Sequence, residues 1–225
     1  ISRSGLQLLQ KTRDILHKTD HRIEDIICWI SGVSGSLIFA FSPVMWSQSV
    51  IVEVYSLNAL FLTLILLLSY KWMHRPEDRT LFVTAFVFGL GLTNYQVLLL
   101  AILPLVVIIF LRDINLFRDF CVLGIPFMAV ILLISKGILP PIVHPLHISC
   151  FIYLFLNFAA IALAYFLLPN GKKVAITFLL VELGLAFYAY MPIVSDLRNP
   201  PMNWGYPRTW EGFKHAVSRG QYERI

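Results

Sequence analysis

Apolar residues in this chain run in long uninterrupted blocks, and polar residues are confined to the short stretches between them. Charge-free or nearly charge-free runs over 26–46, 81–111, 148–168 and 174–194 each approach or exceed the roughly 20 residues that an α-helix needs to cross the hydrocarbon of a bilayer. Backbone groups in hydrocarbon must satisfy one another, so runs of this length predict helices. Seven spans are expected, over 26–46, 50–70, 81–93, 96–111, 121–135, 148–168 and 174–194. The run 81–111 is divided because a single helix of that length would reach about 45 Å, against a hydrocarbon core of about 30 Å. The polar cluster Thr93, Asn94, Tyr95 and Gln96 is where the break is predicted, with Gly89 and Gly91 easing it.

Composition agrees with the pattern. Hydrophobic residues make up 58% of the 225 and charged residues 14%, far from the balance of soluble domains. The predicted fold class is all-α, a polytopic transmembrane helix bundle. Three parts are expected: a cytoplasmic segment over 1–25, the bundle over 26–194, and an outer-face loop with an amphipathic interfacial helix over 195–225. The opening on Ile1 and the stop at Ile225 within a helix-like pattern suggest a segment of a longer protein. Cys28, Cys121 and Cys150 lie in or beside apolar runs without the close spacing of a metal site or disulfide framework, and are expected to pack.

The formal charge of +5 is dispersed through loops, which gives no basic face for nucleic acid. It does orient the chain. The stretches 1–25, 71–80, 112–120 and 169–173 hold twelve Lys and Arg, whereas the intervening short loops hold only Lys136. Basic loops stay cytoplasmic, so the turns at 46–49 and 94–96, the loop 136–147 and the tail 195–225 are expected on the outer side.

Intramembrane acids then stand out, because an ionised carboxylate facing lipid costs several kcal/mol. Glu53 is placed inside the second span, near its outer end. Ser49 and Ser56 are expected on its helix face, with Gln48 and Trp46 above; the group is either a site or a satisfied structural cluster. Glu182, near the middle of the last span, calls for a structural partner or a role in transport. Tyr188 and Tyr190 suggest an aromatic belt. Asn94 and Gln96 can cap helix ends or bind a polar substrate. His144 and His147, three apart among prolines, make a weak metal signal, and any need for a divalent metal stays open.

The tail is dense in Pro, Gly, Trp and Arg. Pro200, Pro201, Gly205 and Pro207 impose an extended loop carrying Arg198, Asn203, Trp204, Tyr206 and Arg208. Thr209 is a candidate cap for a helix with Trp210, Phe213 and Val217 on one face. Such a segment can anchor at the membrane surface, or its Arg forks and aromatic faces can hold a phosphate and a sugar.

Three blocks carry a resemblance: the run from Phe41 through Glu53 to Asn58, the run from Gly89 to Gln96, and the run from Asn199 to Phe213. They resemble a family of bacterial multispanning proteins whose eukaryotic relative is an endoplasmic-reticulum protein O-mannosyltransferase. The resemblance covers about 29–222 and implies a GT-C glycosyltransferase. Such an enzyme takes a sugar from a polyprenyl-phosphate carrier to a protein or glycan acceptor on the non-cytoplasmic face, here the outer face of a bacterial inner membrane. Glu53 matches the acid of the family's Glu-Val-Tyr motif and is the catalytic candidate. Gln48, Tyr55, Asn94, Gln96, Arg198, Asn203, Trp204 and Arg208 are the substrate-binding candidates. The superfamily's main acid, in an Asp/Glu motif after a first span, has no counterpart in 1–25, so it is expected in spans ahead of Ile1. The other readings are a transporter or flippase for a small solute or lipid, or a non-catalytic membrane scaffold.

Overall fold

The computed structural model describes residues 21–51, 54–140, 148–201, 203 and 205–218, and the described residues contain helices and no strand. The chain divides into two compact units, 1–56 and 57–225.

In the first unit, α1 (His21–Ala40) is followed by a short α2 (Pro43–Val50). The single span expected over 26–46 therefore ends early. Pro43 disfavours helix at the residue before it, and the Ser42 hydroxyl accepts the Met45 N–H at 3.3 Å to start a new helix. α2 stops at Ile51, which is extended, and α3 (Tyr55–His74) begins afresh, four residues beyond the expected start of the second span. Ser49 and Ser56 thus lie on different helices and not on one face. Glu53 falls outside the described residues.

From α3 onward the second unit is a bundle. α4 (Asp78–Asn94) ends at Tyr95, which is extended, so the predicted break is present. The chain returns through a 3₁₀ turn (Gln96–Ala101) into α5 (Ile102–Arg112). α6 (Ile114–Ser135) starts seven residues ahead of the expected span, because Asp113 accepts the N–H groups of Asn115 and Leu116 at 3.1 and 3.0 Å and caps it. α7 (Ile148–Leu167) matches expectation, and α8 (Gly171–Leu185) passes through a second 3₁₀ turn (Ala186–Ala189) into α9 (Tyr190–Arg198). Each 3₁₀ turn precedes a proline, Pro104 or Pro192, that has no N–H to donate one turn back. A last helix, α10 (Trp210–Ser218), follows the tail loop.

Among the described residues, five helical stretches are long and apolar enough to cross a membrane: Ile23–Ala40, Tyr55–His74, Ile114–Ser135, Ile148–Leu167 and Gly171–Arg198. α4 and the Gln96–Arg112 stretch complete the architecture as a shorter pair. Large side chains such as Leu67, Leu111, Phe155 and Phe166 point outward, an arrangement that suits lipid as solvent.

α4 and α8 run parallel and in intimate contact. A Cβ at Gly89 would collide with the Val181 carbonyl, and one at Gly184 would meet the backbone of Gly89 and Leu90. Gly89 therefore serves close helix packing and not the break, as small residues commonly do between membrane helices. Gly91 likewise sits against Leu98 and Phe61. Among the described residues, two apolar clusters fill the interior of the second unit. One gathers Trp72, Leu81, Leu116, Ile161 and Val174, and the other gathers Ile65, Phe88, Leu98 and Ala101. Cys121 and Cys150 are half-buried, whereas Cys28 is exposed on α1.

Candidate functional site

Loops that alternate along the sequence gather at opposite ends of the second unit. At the basic end, Asp119 of α6 has a fully buried side chain that accepts from Arg118 at 2.8 Å, from the Asn170 backbone N–H at 2.9 Å and from Asn170 Nδ2 at 3.1 Å. This carboxylate pins the α7–α8 turn to α6. Lys173 of α8 pairs with Asp78 of α4 at 2.9 Å on the same end.

Between the ends, Asn157 Nδ2 of α7 donates to Glu182 Oε1 of α8 at 2.7 Å. Glu182 thereby has the structural partner that its position calls for. Tyr188 is no lipid-facing belt residue, because its hydroxyl donates to the Leu92 carbonyl at 3.0 Å and ties the far ends of α8 and α4 together.

The opposite end carries most of the candidates. Asn94 closes α4 and is half-buried, and Gln96 opens the return. Gln96 Nε2 donates to the Val217 carbonyl of α10, bringing the turn and the tail helix together. Arg198 ends α9, exposed, and Asn199 turns the chain with φ +37°. Ser195, buried on α9, then organises the loop: its hydroxyl donates to Asn203 Oδ1 at 2.9 Å and accepts the Arg208 N–H at 3.3 Å. The Arg208 guanidinium lies 5.8 Å from the centre of the Tyr206 ring.

Thr209 caps α10, with its hydroxyl accepting the Gly212 N–H at 3.1 Å. Gly212 lies so close to the Gly205 and Tyr206 carbonyls that no side chain would fit there. This helix is therefore docked on its own loop and on the Gln96 turn, which a bare surface anchor would not require.

The structure thus brings together Gln96, Asn203 and Arg208 through α9 and α10. Gln48, half-buried in α2, and Tyr55, at the start of α3, belong to the first unit. Glu53, Trp204, His144 and His147 fall outside the described residues. Sequence reasoning missed Ser195 and Asn157. Asn157 carried a signal, a lone amide amid the apolar run 148–168, whereas Ser195 carried none.

The family of the protein O-mannosyl-transferase TMEM260 N-terminal domain matches this chain over residues 4–117. The chain is similar to the mouse protein O-mannosyl-transferase TMEM260, with 26% identity over 195 residues, 85% of this chain and 21% of that protein. It is also similar to the Dictyostelium discoideum protein of the same name, with 25% identity over 96 residues, 35% of this chain and 12% of that protein. The chain therefore spans about a fifth or less of the curated relatives it matches. No solved structure matches it.

Proposed function

The chain belongs to the family of the protein O-mannosyl-transferase TMEM260 N-terminal domain, and on that premise we propose that it is part of a GT-C-type membrane glycosyltransferase. The enzyme takes a sugar from a polyprenyl-phosphate carrier and passes it to a hydroxyl of a protein or glycan acceptor. The observation that carries this reading is the meeting of the Gln96 turn with the tail at the end opposite the basic loops. Amide, cationic and aromatic groups are concentrated there, and these suit a phosphate and a sugar.

In this reading Glu53 activates the acceptor hydroxyl, and Gln48 and Tyr55 help to bind substrate. Arg198 and Arg208 stabilise the departing lipid phosphate, and Asn94, Gln96, Asn203 and Trp204 bind the sugar. In this reading the basic loops face the cytoplasm and this end faces outward, in the inner membrane of a bacterium.

The test is sugar transfer from a polyprenyl-phosphate donor by the purified full-length protein in proteoliposomes. The parent should transfer and Glu53→Gln should lose at least about tenfold while staying folded, since the swap keeps shape and removes the base. A parent that transfers no sugar, or a Glu53→Gln variant with the parent's rate, removes the reading or the role of Glu53 respectively.

A further inference from the structure

Glu182 and Asn157 meet at mid-depth in the bundle. Glu182 lies eleven residues beyond Gly171, where α8 leaves the basic end, a rise of about 16 Å along a helix. Asn157 lies nine residues beyond Ile148, where α7 starts at the opposite end, a rise of about 14 Å. Half of a hydrocarbon core is about 15 Å. The two helices therefore bring a carboxylate and an amide together near the bilayer centre, where Asn157 Nδ2 donates to Glu182 Oε1 at 2.7 Å.

That bond does not compensate the charge. An amide is neutral, and among the described residues neither side chain has another hydrogen bond or an ion pair. The ion pairs Arg118–Asp119 and Lys173–Asp78 both lie at the basic end. The second carboxylate oxygen of Glu182 and Asn157 Oδ1 are thus open acceptors. Nor is the pair sealed in the core, since both residues are only half-buried. One turn to either side of Glu182, Leu179 and Ala186 are exposed, as is Leu154 one turn before Asn157. α8 packs on α4 through Val181 and Gly184, and on α6 through Phe178, which leaves Glu182 on the side shared by α7 and the lipid. An ionised acid at this depth is costly, and it marks a functional position by default.

Open acceptors around an uncompensated negative charge suit a donor-only cation. The membrane-spanning stretches among the described residues carry Lys and Arg only near their ends, at Lys71, Arg118, Lys172, Lys173 and Arg198. A second copy of the chain therefore offers no cation at this depth. We infer that Glu182 and Asn157 form a docking point for a transmembrane helix of a partner protein that carries one Lys or Arg at mid-span. The cation pairs with the carboxylate and donates to Asn157 Oδ1, and the small side chain of Ala186 lets the helix approach closely. This docking point does not depend on the glycosyltransferase reading.

The experiment titrates the full-length protein in liposomes with a labelled transmembrane peptide and reads association by energy transfer. Three peptides of Leu and Ala are compared: one with Lys at its centre, one with Leu there, and one with the Lys moved to its end. The central-Lys peptide should bind the parent about tenfold more tightly than either control. Glu182→Gln keeps the shape and still accepts from Asn157 but carries no charge, so it should bind all three peptides alike. Glu182→Lys should in turn prefer a peptide with Asp at its centre to the central-Lys peptide. A central-Lys peptide that binds the parent no better than the controls overturns the docking point, whether because the protein's own helices cover the face or because the acid is held uncharged. So does Glu182→Gln binding that peptide as tightly as the parent does. Sugar transfer is not read in either comparison, so failure of the glycosyltransferase reading would leave these outcomes unchanged.

Discussion

Gln96 Nε2 hydrogen-bonds the backbone carbonyl of Val217, a residue 121 positions further along the chain. One amide thereby joins the turn between α4 and α5 to the last described helix. Because the acceptor is backbone, no substitution at Val217 removes it, and Gln96 is the side to change. Gln96→Leu keeps the bulk and deletes the donor. Amides of α10 should then exchange with solvent about fivefold faster, the loss of one hydrogen bond of about 1 kcal/mol. Exchange in α4 and α8 should not change. Equal protection of α10 in both proteins would show that the helix is held by its own loop alone.

The parallel packing of α4 on α8 depends on two glycines that face backbone. At Gly89 and Gly184 an added methyl group would meet carbonyl and amide atoms, which cannot rotate away as a side chain would. Gly89→Ala and Gly184→Ala should each destabilise the protein by roughly 1–3 kcal/mol, read as a lower unfolding midpoint in detergent micelles. Gly32 of α1 has nothing within 4 Å of its Cβ position. Gly32→Ala should be neutral or slightly stabilising, since Ala favours helix over Gly by about 1 kcal/mol.

Asp119 and Asp78 both meet a cation at the basic end, but their surroundings differ. The Asp119 side chain is fully buried, while those of Asp78 and Lys173 are 48% and 39% exposed. Asp119→Ala removes the acceptor of the buried Asn170 contacts, and should cost about 3 kcal/mol or more. Asp78→Ala should cost under about 1 kcal/mol, as exposed pairs do. Thermal unfolding of the two variants side by side checks the order. Equal losses would mean that Asp119 contributes no more than a surface pair.

What could be read from the sequence was whatever depends on neighbours along the chain. The polar cluster at 93–96 marks the helix break because a helix through it would be too long for the bilayer, and Thr209 is recognisable as a cap from its position ahead of Trp210. The split between α1 and α2 was legible too, in Ser42 and Pro43, but the apolar run continuing to Trp46 masked it. Contacts between distant helices left no local trace. Asn170 meets Asp119 across 51 residues, and the facing of Gly89 by Val181 follows from the register of two parallel helices that no local pattern specifies. For the site, residue types were informative and pairings were not: Asn203 and Arg208 stood out by composition, while Ser195, which joins them, is one serine at a helix end.

The proposed orientation of the bundle rests on its basic loops and can be tested independently of activity. Arg75 and Lys172 flank the end where Asp78 meets Lys173, and Asn203 lies in the loop at the other end. Single cysteines at Arg75 and Lys172 should react only with membrane-permeant reagents in intact cells, and one at Asn203 with impermeant reagents. Cys28, Cys121 and Cys150 are replaced beforehand to give a clean background. Labelling of all three sites from outside would show that the charge bias does not set the orientation here.

Arg208 separates a binding site from a membrane anchor. Its backbone N–H is held by Ser195 and its guanidinium lies over Tyr206, so the side chain leaves the loop from a fixed base. An anchor needs positive charge alone, and Arg208→Lys would satisfy it. A phosphate site needs the planar, paired donors of the guanidinium, which an ammonium does not supply. With the full-length protein, Arg208→Lys should therefore raise KM for the polyprenyl-phosphate sugar by about tenfold, the loss of one charge-assisted hydrogen bond, with KM for the acceptor unchanged. Membrane insertion, followed by carbonate extraction, should match the parent. If the KM for the donor does not move, Arg208 contributes charge to the membrane surface and the phosphate is held elsewhere.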